Sequence, residues 1–195
     1  MDIKVMNKSH LAHLSTKIWK ILIVGTMVLQ GCTVAGDRHF KQVATDTEIK
    51  LDINKRLFNR KNHDLFFNLH TNVYEGRVML TGAVTSNYHR QRIVALTGGI
   101  PGIKVIYNNV QVTPSGKFEN TAYDVWINTK LNSQLIAEKG IKSTNYQTRV
   151  VNSVIYLIGR ALSNRELNKV LTIARRIQHV GGVVHHILVG QANRP

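Results

Sequence analysis

A long internal repeat constrains this chain more than any other feature. Ile49, Ile53 and Leu57 recur every four residues, one face of a helix. Ile127, Leu131 and Leu135 repeat that seam at an offset of 78. The segment from Val73 to Gly82, with a turn signal at Glu75-Gly76, returns as Val150 to Gly159, now at an offset of 77. A second helix follows each of these pairs. One starts near Ser86 and carries Ile93 and Leu96; the other starts at Ser163 and carries Leu167, Val170, Leu171 and Ala174. A closing strand ends each copy, Ile103 to Val112 and Val180 to Val189. Register held over so many elements marks two copies of one unit. Thr45 with Glu48, and Ser163 with Glu166, have the spacing of helix-opening capping boxes.

Each copy therefore reads helix, strand, strand, helix, strand. The hairpin strands run antiparallel, and a last strand reached through a helix can lie parallel to its neighbour. The fold class is α+β: two tandem αββαβ domains, each with two helices packed on one face of a three-stranded mixed sheet. Units this small are marginal alone, so the two copies are expected to touch. The expected boundaries are residues 45–112 for the first domain, 113–119 for a linker and 120–190 for the second, preceded by a tether over 32–44.

The N-terminus says where such a pair would work. Lys4, Lys8, Lys17 and Lys20 precede an apolar run from Ile21 to Leu29. Nine residues at about 1.5 Å each fall far short of a bilayer core of about 30 Å, so a secretory signal peptide over 1–31 fits better than a membrane span. The run ends Leu29-Gln30-Gly31-Cys32, and Cys32 is the single cysteine. This resembles the lipobox of bacterial lipoproteins, whose cysteine becomes the acylated first residue of the mature protein. Acyl chains bury roughly 0.8 kcal/mol per CH₂, so several chains give lasting attachment. In such lipoproteins an Asp after the cysteine favours the inner membrane; Thr33 stands there. The implied address is the outer membrane, facing the periplasm.

Charge sets the class of partner. The chain has 26 Lys and Arg against 11 Asp and Glu, net +15. Such a surplus points to an anionic partner. Export from the cytoplasm demotes nucleic acid and leaves lipid headgroups or an acidic protein. One cysteine excludes a disulfide framework and a Cys-based zinc cluster. Gly98-Gly99-Ile100-Pro101-Gly102 lacks the Lys-Ser/Thr of a P-loop. His185 and His186 are adjacent on a strand and point to opposite faces, a poor pair for one metal ion. No nucleophile motif appears, and acidic residues are sparse. No enzyme, cofactor, metal or small-molecule substrate is expected.

The order of elements is similar to the BON domain. So are the hairpins ending Leu80-Thr81-Gly82 and Leu157-Ile158-Gly159, and the closings Asn108-Asn109-Val110 and His185-His186-Ile187. Two such copies behind a lipobox resemble the dual-BON outer-membrane lipoproteins of Gram-negative bacteria. That resemblance implies binding of anionic phospholipid along the first helix of the second domain, support of outer-membrane integrity and concentration at division sites. The helix resembles the family motif Asp-x-Trp-Ile-x-Thr-Lys at Asp124, Trp126, Ile127, Thr129 and Lys130.

Read from the residues, Trp126 lies about 100° from the core seam, and Lys130 shares its face. A Trp beside a basic group suits a membrane interface. Packing of Trp126 against the first domain is the alternative, and the sequence leaves both open. The expected lipid site comprises Trp126, Lys130, Ser133, Gln134 and Leu135, the last also a member of the core seam. Lys139, Lys142, Arg149, Arg175 and Arg176 are further cationic candidates. Residues 120–195 hold 10 basic and 3 acidic groups, against 9 and 5 in residues 46–112. The competing function is a protein-interaction adapter for an envelope assembly or division complex, touching lipid only through Cys32.

Overall fold

A computed structural model describes residues 40–58, 68–116 and 121–190; Cys32 and the expected signal peptide lie outside the described residues. The described residues all belong to one compact unit, Ala35–Pro195, which holds every element and core below. The first domain is helix α1 (Phe40–Leu57), strands β1 (Leu69–Tyr74) and β2 (Arg77–Val84), helix α2 (Asn87–Thr97) and strand β3 (Val105–Val112). The second is α3 (Thr121–Ala137), a 3₁₀ turn (Ser143–Asn145), β4 (Tyr146–Val151), β5 (Val154–Ala161), α4 (Asn164–Arg176) and β6 (Gly182–Val189). The expected αββαβ architecture is present in both copies.

In each sheet the middle strand pairs antiparallel with the strand before it and parallel with the last. Val73 faces Val78, and Val78 faces Ile106. Val150 faces Ile155, and Ile155 faces Val183. Alternation along the middle strands decides what each side meets. Val78 and Leu80 point to the helices of the first domain, with Ile49, Ile53, Leu57 and Ile93. Ile155 and Leu157 do the same in the second, with Ile127, Leu131, Leu135 and Val170. The other faces meet each other: Tyr74 and Met79 pack with Val151, Tyr156 and Ile158. The copies touch sheet to sheet, and the helices form the two outer layers. This explains why β2 is buried at every position, Arg77 and Thr81 included.

The repeated glycines at the ends of the middle strands have a steric cause. A Cβ on Gly82 would stand 2.2 Å from the Asn68 carbonyl oxygen, and one on Gly159 the same distance from that of Asn145. The hairpin turns also repeat. Glu75 and Gly76 have φ of 54° and 74°, and Asn152 and Ser153 have 49° and 65°. Both residues of each turn are left-handed, which matches the twist of the flanking strands. A helix carboxylate holds each turn. Asp46 accepts from the Glu75 and Gly76 backbone N–H groups, both at 2.8 Å. Asp124 accepts from Asn152 at 2.8 Å and Ser153 at 2.7 Å. These charge-assisted bonds offset the strain of non-glycine residues at positive φ.

One helix start differs from expectation, and one expected capping box forms only in part. Helix α1 begins at Phe40, within the expected tether, because no breaker interrupts Lys41 to Ala44. Thr45 is thus inside the helix, its hydroxyl bonded to the Lys41 carbonyl at 3.0 Å, and no Thr45–Glu48 capping box forms. At α4, Ser163 does cap, accepting from the Glu166 N–H at 3.2 Å. The Glu166 carboxylate does not return to Ser163; it accepts from Leu162 and Lys142 backbone N–H groups at 2.7 and 2.9 Å.

The domain interface is polar around its apolar centre. Arg160 and Glu75 form a two-pronged ion pair across it, largely shielded from solvent. Arg77 donates to the Gly159 and His186 carbonyls at 2.8 and 2.7 Å. His186 stacks on Tyr107 with centroids 3.7 Å apart and bonds Asn109, while His185 on the opposite face is exposed.

Candidate functional site

Helix α3 is apolar on both sides, unlike an ordinary surface helix. Its inner side carries Ile127, Leu131, Leu135 and the turn-holding Asp124. Its outer side is solvent-exposed at Ala122, Tyr123, Val125, Trp126, Thr129, Lys130, Ser133, Ile136 and Ala137. At 100° per residue these nine fall within an arc of about 160°. Lys130 is the one charge among them, and the large apolar members are well exposed: Ile136 72%, Val125 63%, Tyr123 51%, Trp126 43%.

Two aromatic rings on this surface share a support. His179, in the loop after α4 and itself at φ 63°, meets Tyr123 at 4.8 Å and the edge of Trp126 at 6.0 Å. The ring contact of Trp126 is thus with its own domain. Packing on the first domain, one of the two alternatives for Trp126, has no described contact behind it.

The other expected site residues divide. Lys130 is exposed on the Trp126 face. Ser133 is exposed, but its hydroxyl proton is given to the Lys130 carbonyl at 2.9 Å, so it is not the free phosphate donor expected of it. Gln134 is half-buried. Leu135 is 1% exposed in the core and must be removed from the lipid-contacting set. Its place in the seam with Ile127 and Leu131 points it at the sheet.

Among the cationic candidates, Lys139, Arg175 and Arg176 are exposed. Lys142 is half-buried. Arg149 is not available: its guanidinium donates to the His70 ring of the first domain, and burial lowers its pKa. Arginine has no acceptor, so the bonded His70 nitrogen is unprotonated. Burial first, then Arg149 and Lys50, hold the His70 pKa down at about 4. His186 is lowered likewise, by burial first and then by His185 and Arg77.

The second domain spends its acidic groups internally. Asp124 holds a hairpin turn and Glu166 holds two backbone N–H groups. Glu138 pairs with Lys169 at 2.6 Å. Its exposed cations are therefore left without carboxylate partners among the described residues. No described helix is long and apolar enough to cross a membrane, and no described cluster of His, Cys, Asp or Glu could hold a metal ion.

The sequence reading missed Tyr123, Val125, Ile136 and His179. The signal for the first three was available, because they extend the apolar character of α3 beyond its core seam. His179 had none, since its role depends on a loop meeting a helix distant in sequence.

This architecture defines a class. The BON domain model matches residues 45–114 and 123–191, and the chain belongs to the BON-domain family. It is a tandem BON protein that resembles outer membrane lipoprotein DolP of Haemophilus influenzae, with 28% identity over 177 residues, 84% of this chain and 91% of that one. It is 34% identical over 143 residues to an uncharacterized protein in the gshII 5′ region of Anaplasma centrale, covering 73% of this chain and 93% of the relative. A 21 kDa hemolysin of Actinobacillus pleuropneumoniae is 27% identical over 111 residues, 57% of each chain.

Proposed function

We propose that this chain is a non-enzymatic outer-membrane lipoprotein of the DolP type. Acylated Cys32 anchors it facing the periplasm, and the outer face of α3 binds anionic phospholipid in support of envelope integrity, including at division sites. One observation carries this reading: α3 exposes Tyr123, Val125, Trp126 and Ile136 around a single Lys130. Such a face costs free energy in water and suits a headgroup–acyl boundary, where aromatic rings and a lysine amine find both phases. Trp126 and Lys130 are the principal contacts. Ser133 and Gln134 border them.

The test is co-sedimentation of residues 33–195, without the acyl chain, with phosphatidylglycerol-containing and pure phosphatidylcholine vesicles. The wild type should pellet with the anionic vesicles alone, and Trp126→Ala should lose at least tenfold in partition, consistent with a buried aromatic of roughly 1.5–3 kcal/mol. A wild type that stays in the supernatant with both would end the lipid reading. The adapter function would then lead. It has its own support in the edge strand β6, where Leu188 and Val189 are exposed and could receive a partner strand.

A further inference from the structure

Lys130 alone gives α3 little electrostatic reach, yet the described second domain carries several exposed cations. Helix α4 shows where they gather. Arg165, Lys169 and Arg176 line an open groove on its surface, together with Thr172, Ile173 and the end of α3 at Glu138. Lys169 is committed: it reaches both Glu138 and the Lys139 carbonyl at 2.6 Å. Among the described residues, Arg165 and Arg176 have no hydrogen bond or ion pair. They stand eleven residues apart, about 16 Å along the helix, so one phosphate cannot serve both.

Arg176, in the last turn, has an ordinary explanation, since a cation there favours the negative end of the helix dipole. Arg165 has none. It is the second residue of α4, at the positive end, where a cation opposes the dipole. It is exposed, and the first-turn acid Glu166 faces inward to backbone N–H groups instead of pairing with it. A cation kept at an unfavourable place without an internal partner argues for an external one.

We propose that α4 is the electrostatic half of the membrane contact: Arg165 and Arg176 each hold a separate anionic phospholipid headgroup while α3 inserts its apolar face beside them. Both helices belong to the outer layer of the second domain, so one lipid surface can meet both. This inference rests on the lipid reading above. It divides the labour: α3 sets insertion, and α4 sets the preference for negative charge. Two guanidiniums suit this role because each can grip phosphate oxygens with paired N–H donors.

The experiment compares Arg165→Gln/Arg176→Gln with the wild type in residues 33–195, by co-sedimentation with phosphatidylcholine vesicles with and without phosphatidylglycerol, across a salt series. The double variant should bind anionic vesicles about 30-fold more weakly at low salt. Its binding should also depend less on salt, and the bound fraction should keep the wild-type Trp126 emission maximum. Arg90→Gln/Lys104→Gln, removing two exposed cations of the first domain, should change little. Equal affinity and salt dependence in the α4 variant, with binding still lost in Trp126→Ala, would overturn the role of α4 and leave that of α3 standing. An equal loss in the first-domain control would reduce the effect to net charge and also overturn it. A wild type that binds no vesicle would remove both.

Discussion

Helices α1 and α3 hold equivalent places in the two domains and agree only on their inner sides. Ile49, Ile53 and Leu57 match Ile127, Leu131 and Leu135, and Asp46 matches Asp124 on the hairpin turn. Outside, the equivalents part: Glu48 against Trp126, Lys55 against Ser133, Arg56 against Gln134. The outer face of α1 is mainly charged, with exposed Lys41, Glu48, Lys50, Lys55 and Arg56 beside the exposed apolar Val43 and Leu51. That of α3 has one charge. The inner side is dictated by the sheet beneath it, so both copies keep it. The outer side is free of that constraint, and the second copy has used the freedom to expose apolar surface.

The inner agreement is broken most severely at the carboxylates. Asp46→Ala and Asp124→Ala each remove two charge-assisted bonds and leave two turn N–H groups without a protein acceptor, so each should cost about 3 kcal/mol or more in urea unfolding. A loss in one copy alone would show that the two turns are not held by the same device.

A difference between the sheets gives the next effect. His70 on β1 corresponds to Gln147 on β4, so a titrating group faces Arg149 at the domain interface from the first copy only. Its folded pKa, about 4, lies below the ordinary 6.5. The unfolded chain therefore takes up the proton first. The stability due to neutral His70 is complete above pH 6.5 and is lost as pH falls toward 4. Arg149 and Lys50 face the group, and protonation sets three positive charges together. His70→Gln should flatten thermal stability over this window; an unchanged pH profile would remove His70 from the account.

Lys130→Ala is the mildest test of the outer difference. One surface cation contributes about 1 kcal/mol near an anionic membrane, roughly fivefold in vesicle partition at low salt. The loss should shrink as salt is added. A salt-independent loss would point to packing of the lysine stem instead.

The repeat, the seams and the hairpin turn at Glu75-Gly76 could be read from the sequence because backbone sterics and a two- or 3.6-residue period impose them locally. Gly82 and Gly159 mark the same strand end for the same close approach of a carbonyl. The start of α1 at Phe40 was hidden because the Thr45 to Glu48 spacing imitates a cap within a helix already under way. Arg149 looked like a free cation because its partner, His70, lies 79 residues away and meets it only when the sheets stack. Leu135 belongs to the core seam and cannot also serve the outer face: its position opposite the outer arc sends it to the core.

Trp126 reports directly on whether the outer face of α3 meets lipid. Trp19 precedes residue 33, so residues 33–195 contain Trp126 as their single tryptophan. Its emission should be followed during titration with phosphatidylglycerol-containing and with pure phosphatidylcholine vesicles, at low and at high salt. The account predicts a blue shift with the anionic vesicles alone that salt suppresses. An emission maximum that stays fixed while the protein remains in solution would contradict it, and would leave Trp126 as a ring packed on His179.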